Sequence, residues 1–185
     1  MFPILIAMRA EARRGCKMQK LVIVINGSAG VGKDTICEMV GKYYRVMNVS
    51  SIDPIKKIAS DNGWNGEKNE KSRKFLAELK QLFVDFNDLP HKYLMEKYQE
   101  FLRGDMEILF VHIREPEEIA KFKSSVGENC VTLLVRGRED AKRAWNNAAD
   151  DEVENYKYDY YYVNCHSLKD MESDFMEFLK REILK

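Results

Sequence analysis

The chain has 185 residues, 45% of them hydrophobic and 32% charged, with 30 Lys+Arg balanced by 30 Asp+Glu. A chain of this length buries roughly two-thirds of the surface it exposes when unfolded, enough for one domain to fold with neither disulfides nor a structural metal. Charge balance argues against a protein whose main task is to grip nucleic acid or an anionic membrane, and no run approaches the ~18 apolar residues of a membrane-spanning helix.

Residues 1–19 are expected to form a flexible extension, carrying Arg9, Arg13, Arg14 and Lys17 against Glu11 alone and leaving the rest of the chain net acidic. Glu11 and the lack of serine argue against an organellar targeting peptide. A natural start at Met18, or a helix packed on the domain, stay open as readings. A single domain is expected over 20–185. It opens with Leu21-Val22-Ile23-Val24-Ile25, apolar throughout rather than alternating, which predicts a central parallel strand covered on both faces. A weaker strand pattern follows at 45–49, and further ones at 108–113, 131–135 and 160–163. Helical patterns occupy 35–44, 55–62, 70–86, 91–102, 117–124, 139–146 and 168–184. Strand alternating with helix predicts an α/β sheet with right-handed crossovers.

One interval breaks the alternation. Residues 51–105 show helical patterns only, and they read as an insertion resting on the sheet. Within it Phe75, Leu79, Leu82, Phe83 and Phe86 recur at helical spacing, which predicts a core face. The alternative is that these aromatics, with Trp64, stack a base. The charge-rich stretch 66–74 reads as a solvated turn and helix start.

The four cysteines (Cys16, Cys37, Cys130, Cys165) form no CxxC pair, and the three histidines (His91, His112, His166) share no ligand spacing, which argues against zinc. Cys130 and Cys165, in or beside apolar runs, read as small buried hydrophobes. A reduced, cytoplasmic protein is the simplest expectation.

Directly after the first strand comes Gly27-Ser28-Ala29-Gly30-Val31-Gly32-Lys33-Asp34-Thr35, followed by an amphipathic run. This is GxxxxGK between a strand and a helix, the setting in which the pattern has a physical meaning. Glycines let the backbone curl until successive N–H groups point at phosphate oxygens, and the helix adds its positive N-terminal dipole. Lys33 then reaches the β- and γ-phosphates. The Ser or Thr that usually follows the lysine and ligates Mg²⁺ is Asp34 here, with Thr35 one place on. Either Asp34 reaches the metal, directly or through water, with Thr35 as a second oxygen, or it is an acidic residue favoured in a first helical turn.

No DxxG or NKxD pair marks a switch GTPase. The strand that ends in aspartate in large ATPase families ends here in Val111-His112. Small kinases remain, and they need a helical region for the phosphate acceptor and an arginine lid that excludes water. The 51–105 insertion suits the first need. The segment 136–152, with Arg136, Arg138, Lys142 and Arg143, suits the second, because a planar guanidinium holds phosphoryl oxygens bidentately. A solvated face paired with Glu139 and Asp140 is the other reading of the same residues.

At this point the chain resembles a known family, the P-loop nucleoside and deoxynucleoside monophosphate kinases related to adenylate kinase, including the P-loop type of phosphomevalonate kinase. The resemblance is carried by GKDT at residues 32–35, by Asp53-Pro54-Ile55-Lys56 after the second strand, by FVHIREPEEI at residues 110–119, and by an acidic segment leading to a last strand ending in Asn164. It implies a three-layer P-loop fold with a five-stranded parallel sheet in the order 2-3-1-4-5, a helical acceptor-binding insertion and a short lid. It also implies ATP and Mg²⁺ as cofactors and a small phosphorylated acceptor as partner, with no nucleic acid or membrane partner. Oligomeric state is not specified. Gly27 to Thr35 become the nucleotide phosphate site, with Lys33 and the lid residues Arg138 and Arg143 catalytic and Asp34 and Thr35 at the metal. Lys56, Arg73, His112 and Arg114 are the acceptor candidates.

His112 departs from the family, which places aspartate there; it reads as a neutral core residue, an acceptor contact or a general base, with Glu115 as a substitute carboxylate. Two alternatives to the nucleotide kinase follow: a nucleotide sensor with weak or no turnover, and a kinase with a non-nucleotide acceptor such as phosphomevalonate.

Overall fold

A strand that is apolar on both faces has to be covered on both faces, and the chain supplies helices for each. The computed structural model describes residues 20–137, 152–165 and 167–184. In chain order these residues form β1 (Leu21–Asn26), α1 (Lys33–Gly41), β2 (Val46–Ser50), α2 (Asp53–Asp61), α3 (Glu70–Asn87), α4 (Leu89–Arg103), β3 (Ile108–His112), α5 (Pro116–Val126), β4 (Cys130–Arg136), a 3₁₀ turn (Glu152–Asn155), β5 (Tyr160–Val163) and α6 (Leu168–Phe178), which runs into a π-helical turn at Leu179–Ile183. The five strands are all parallel, in the order β2-β3-β1-β4-β5. That is the order the resemblance implies.

Because side chains alternate along a strand, β1 divides its apolar residues between two cores. Ile23 and Ile25 face one side, where they meet Ile36 and Val40 of α1 and Met171 and Phe175 of α6. Val22 and Val24 face the other, with Leu94 and Phe101 of α4 and Ile119 and Phe122 of α5. Phe101, Phe110, Phe122 and Phe175 are all fully buried. At roughly 25 cal/mol per Å² of apolar surface, each such ring contributes about 2–3 kcal/mol. The helical insertion adds a third, smaller core in which Ile55 and Ala59 of α2 meet Leu76 of α3, flanked by Trp64, Leu79, Phe83 and Leu89. Thus α4 reaches the sheet, whereas α2 and α3 pack on each other and on α4.

Several expectations need correcting. The predicted core face of α3 is largely outside: Phe75, Leu82 and Phe86 are 44%, 65% and 81% exposed, and it is Leu76 and Lys80 that are buried. Cys165 is exposed, because β5 ends at Val163 and the residue falls in the following turn, whereas Cys130 is buried inside β4. The single helix expected over 168–184 widens into a π-turn after Phe178. Helix α4 begins two residues early because Pro90 fits its first turn, where no N–H is needed. The extension at 1–19 and the helix expected at 139–146 lie outside the described residues.

Candidate functional site

In an open parallel sheet, ligands sit beyond the carboxyl ends of the strands where the connections switch direction. Here that point adjoins β1, with β3 on one side and β4 on the other. The last residue of β1, Asn26, is 1% exposed and organises the loop that follows. Its Oδ1 accepts from the Gly27 N–H at 2.8 Å, while its Nδ2 donates to the Arg114 carbonyl at 3.0 Å and to the Tyr158 hydroxyl at 2.8 Å. Tyr158 in turn donates to the Val153 carbonyl. One amide therefore ties the start of the glycine loop to the turn after β3 and to the segment before β5.

The loop itself curls through left-handed backbone at Gly27, Gly30 and Gly32, and α1 starts at Lys33. A Cβ on Gly27 would lie 2.2 Å from the Val135 carbonyl oxygen of β4, whereas one on Gly30 would meet nothing within 4 Å. Gly27→Ala is therefore expected to cost about 2–4 kcal/mol and Gly30→Ala about 1 kcal/mol, the latter from backbone strain alone. Urea unfolding of the two variants checks the ranking. On the far side, Asn164 donates through Nδ2 to the Val31 carbonyl at 2.9 Å, and its Oδ1 is a buried acceptor with no partner among the described residues. Lys33 Nζ donates to the carbonyls of Gly27 and Ser28, so the ammonium is folded over the loop.

At the end of β3, His112 pairs in register with Ile25 of β1 and Ser50 of β2. Its Nε2 lies 3.8 Å from the Cys37 Sγ on α1. Burial holds the imidazole below its ordinary value of 6.5, with Asp34 and Asp53 opposing and Lys33 and Lys56 reinforcing the effect. Lys33, Asp34, Asp53 and Lys56 thus lie near enough to His112 for their charges to act on it. Burial also pushes the Cys37 thiol far up, with the Asp34 charge adding to it, so the sulfur is inert. Because the unfolded chain binds a proton on His112 more readily than the folded one, stability should fall as pH drops below 6.5, with a slope bounded by about 1.4 kcal/mol per pH unit. His112→Gln should flatten that loss in thermal melts between pH 7 and 5.5, leaving the smaller contribution of His91, also lowered by burial.

Among the other sequence-predicted residues, Asp34 is exposed and Thr35 half-buried in the first turn of α1, so both oxygens lie beside the loop. Lys56 is exposed on the first turn of α2, which is held by Asp53 accepting from the Ser50 N–H at 2.7 Å. Arg114 is exposed in the turn after β3. Arg73 lies half-buried near the start of α3. Arg136 ends β4 and is held by Glu154 at 2.6 and 3.0 Å and by stacking on Tyr161. Arg138 and Arg143, with most of the 136–152 segment, lie outside the described residues.

Sequence reasoning missed Asn26, Tyr158 and the carboxylate of Asp53. A polar residue closing an apolar strand was the available signal for the first, and the aspartate that opens α2 for the last.

No family model matches the chain, and no curated protein does. Among solved structures it is similar to shikimate kinase from Aquifex aeolicus, at 11% identity over 86% of this chain and 96% of that one, with a TM-score of 0.56. It is also similar to the tunicamycin resistance protein of Deinococcus radiodurans, at 11% identity over 87% and 96%, with a TM-score of 0.53. A likeness at this identity is one of fold. Strand order, helices on both faces and the glycine loop at the end of β1 agree with it, and the chain has the three-layer α/β fold of P-loop kinases.

Proposed function

We propose that the protein is an ATP- and Mg²⁺-dependent phosphotransferase of the nucleoside monophosphate kinase class, passing the γ-phosphoryl group to a small phosphorylated acceptor. The observation that carries this reading is the glycine loop curled between β1 and the amino end of α1, with Lys33, Asp34, Asp53 and Lys56 near enough to His112 for their charges to act on it.

Phosphoryl transfer needs little covalent chemistry from the protein; positioning and charge neutralisation supply most of the rate. Lys33 exchanges two neutral carbonyl acceptors for charged phosphate oxygens, which bind an ammonium more strongly. The loop N–H groups and the amino end of α1 hold the remaining phosphate charge. A hard divalent cation would take oxygen ligands such as the Asp34 carboxylate and the Thr35 hydroxyl in the first turn of α1, beside the nucleotide's own phosphate oxygens, since among the described residues no group of three or more His, Cys, Asp or Glu side chains is placed to hold a metal by itself. Mg²⁺ held by Asp34, with Thr35 beside it, would neutralise charge on the β- and γ-oxygens. Neutral His112 is left to accept or donate one hydrogen bond at the acceptor. Lys56, Arg73 and Arg114 are the cations for the acceptor's own phosphate, residues 51–105 its binding region, and Arg138 and Arg143 of the 136–152 segment close over the transferring group. The single domain spans 20–185, with 1–19 as an extension, in a cytoplasmic setting; among the described residues no helix is long and apolar enough to cross a membrane.

The test is ADP release from ATP·Mg²⁺ with each common nucleoside monophosphate and with phosphomevalonate. Acceptor-dependent ADP with a nucleotide supports the reading, and with phosphomevalonate alone it moves the acceptor class. Tight ATP binding with no acceptor-dependent ADP would instead favour a nucleotide sensor, the reading that the histidine at the end of β3 supports.

A further inference from the structure

We infer that α3 is the face through which two copies of this chain associate, as an antiparallel helix pair about a two-fold axis. Three exposed residues of α3, Phe75, Leu82 and Phe86, carry the inference. At 100° per residue they fall within about 40° of one another, a stripe roughly 16 Å long. It lies more than 100° around the helix from Lys80, whose side chain reaches Glu115 and Glu118 beside the turn that bears Arg114. The stripe is therefore turned away from the candidate site. Single exposed apolar residues are ordinary, but a row of two phenylalanines and a leucine, the last ring 81% exposed, is a surface built to be covered.

Charge on the flank of the stripe identifies the occupant. Along that flank α3 carries Lys71 and Lys74 toward its amino end, Glu78 at its middle and Asp85 toward its carboxyl end. Basic residues early and acidic residues late run against the helix dipole, so helix stability does not explain their order. Two such helices side by side in the same direction would set this flank against the opposite one, where Ser72, Leu79 and Phe83 offer the lysines no carboxylate. Reversed about a two-fold axis near residues 80 and 81, Phe75 lies over Phe86 of the other copy, Leu82 meets the half-buried Leu79, and the flank faces itself in reverse. Lys74 then sits about 3 Å along the axis from Asp85 of the other copy. Its present pairing with Glu78 is exposed and 3.9 Å long, which costs little to exchange.

One helix face is smaller than the ~800 Å² per partner of a standard interface, so the association should be reversible, concentration-dependent and weakened by salt. This inference is independent of the phosphotransferase reading.

Sedimentation velocity of the full chain, from micromolar to sub-millimolar loading, tests it. A monomer–dimer equilibrium is expected. Leu82→Asp and Phe86→Glu, both at solvent-exposed positions and checked for unchanged circular dichroism, should weaken it at least about tenfold. Lys74→Glu and Asp85→Lys should each weaken it, and the double variant should restore it. A monomer at every concentration, a dimer indifferent to Leu82→Asp, capture of the stripe by a different protein while the chain stays monomeric, or a double variant no better than either single one would each overturn the antiparallel self-pairing.

Discussion

Lys33→Ala is expected to abolish phosphoryl transfer while leaving the fold intact. The Lys33 ammonium bonds the Gly27 and Ser28 carbonyls of its own loop, and its side chain belongs to neither sheet core. Its loss should therefore change the urea midpoint by no more than about 0.5 kcal/mol of stability. Removing one preorganised positive group aimed at developing phosphoryl charge costs on the order of a hundredfold or more in rate. Titration calorimetry with ATP, beside the ADP-release assay, separates lost binding from lost chemistry. Full turnover in the alanine variant would sink the kinase reading.

A large stability effect should also come from Lys80. This lysine is 6% exposed, in a helix interior, and holds two carboxylates at once, Glu115 at 2.6 Å and Glu118 at 2.8 Å. Burial, the strongest single influence, works to raise both carboxyls. At Glu115 the lysine's charge and hydrogen bond overcome it and hold the group below its ordinary value, while at Glu118 the neighbouring Glu115 charge tips the balance upward. Lys80→Met removes the cation and leaves two carboxylates facing each other. Breaking such a triad from one side costs about 3 kcal/mol, the lower end of the usual range because Glu115 and Glu118 still touch water.

The pH dependence gives a sharper check. In the wild type, Glu115 contributes stability that is present above about its ordinary value of 4.5 and lost as pH falls through its lower folded value. In Lys80→Met both carboxyls should be raised, so the folded state binds protons more readily and mild acidification from pH 7 to 5.5 should stabilise the variant. Glu118, raised already in the wild type, acts in the same sense there, so the variant is expected to gain more stability on acidification from pH 7 to 5.5 than the wild type does. Parallel slopes would show that Lys80 does not neutralise the pair.

Which parts of this were legible along the chain follows from the range of the forces involved. The three central strands stand out because burial on both faces demands uninterrupted β-branched and aliphatic runs, and 21–25, 108–113 and 131–135 have them; their observed bounds differ from expectation by a residue or so. The phosphate loop stands out because its glycines, lysine and following helix are contiguous. Helix α3 shows the opposite case. Its apolar periodicity at 75, 79, 82, 83 and 86 suggested one core face, yet the buried side is centred on Leu76, Lys80 and Phe83, with the aromatic stripe turned outward. Hydrophobic periodicity counts Lys80 as polar; only Glu115 and Glu118, 35 and 38 residues away, make its burial favourable. The same holds for Asn26, whose role rests on Arg114 and Tyr158, 88 and 132 residues distant.

Composition, near-neutral charge and local pattern thus specified an α/β chain with a phosphate-cradling loop, since helix, strand and turn preferences act over a few residues. The orientation of α3, the amide that pins the loop to β3 and β5, and the nearness of Asp34 and Asp53 to His112 arise from packing between segments far apart in the chain. Such contacts depend on sheet order and register, which bring distant side chains within a few ångströms and leave no periodic trace in the residues between them.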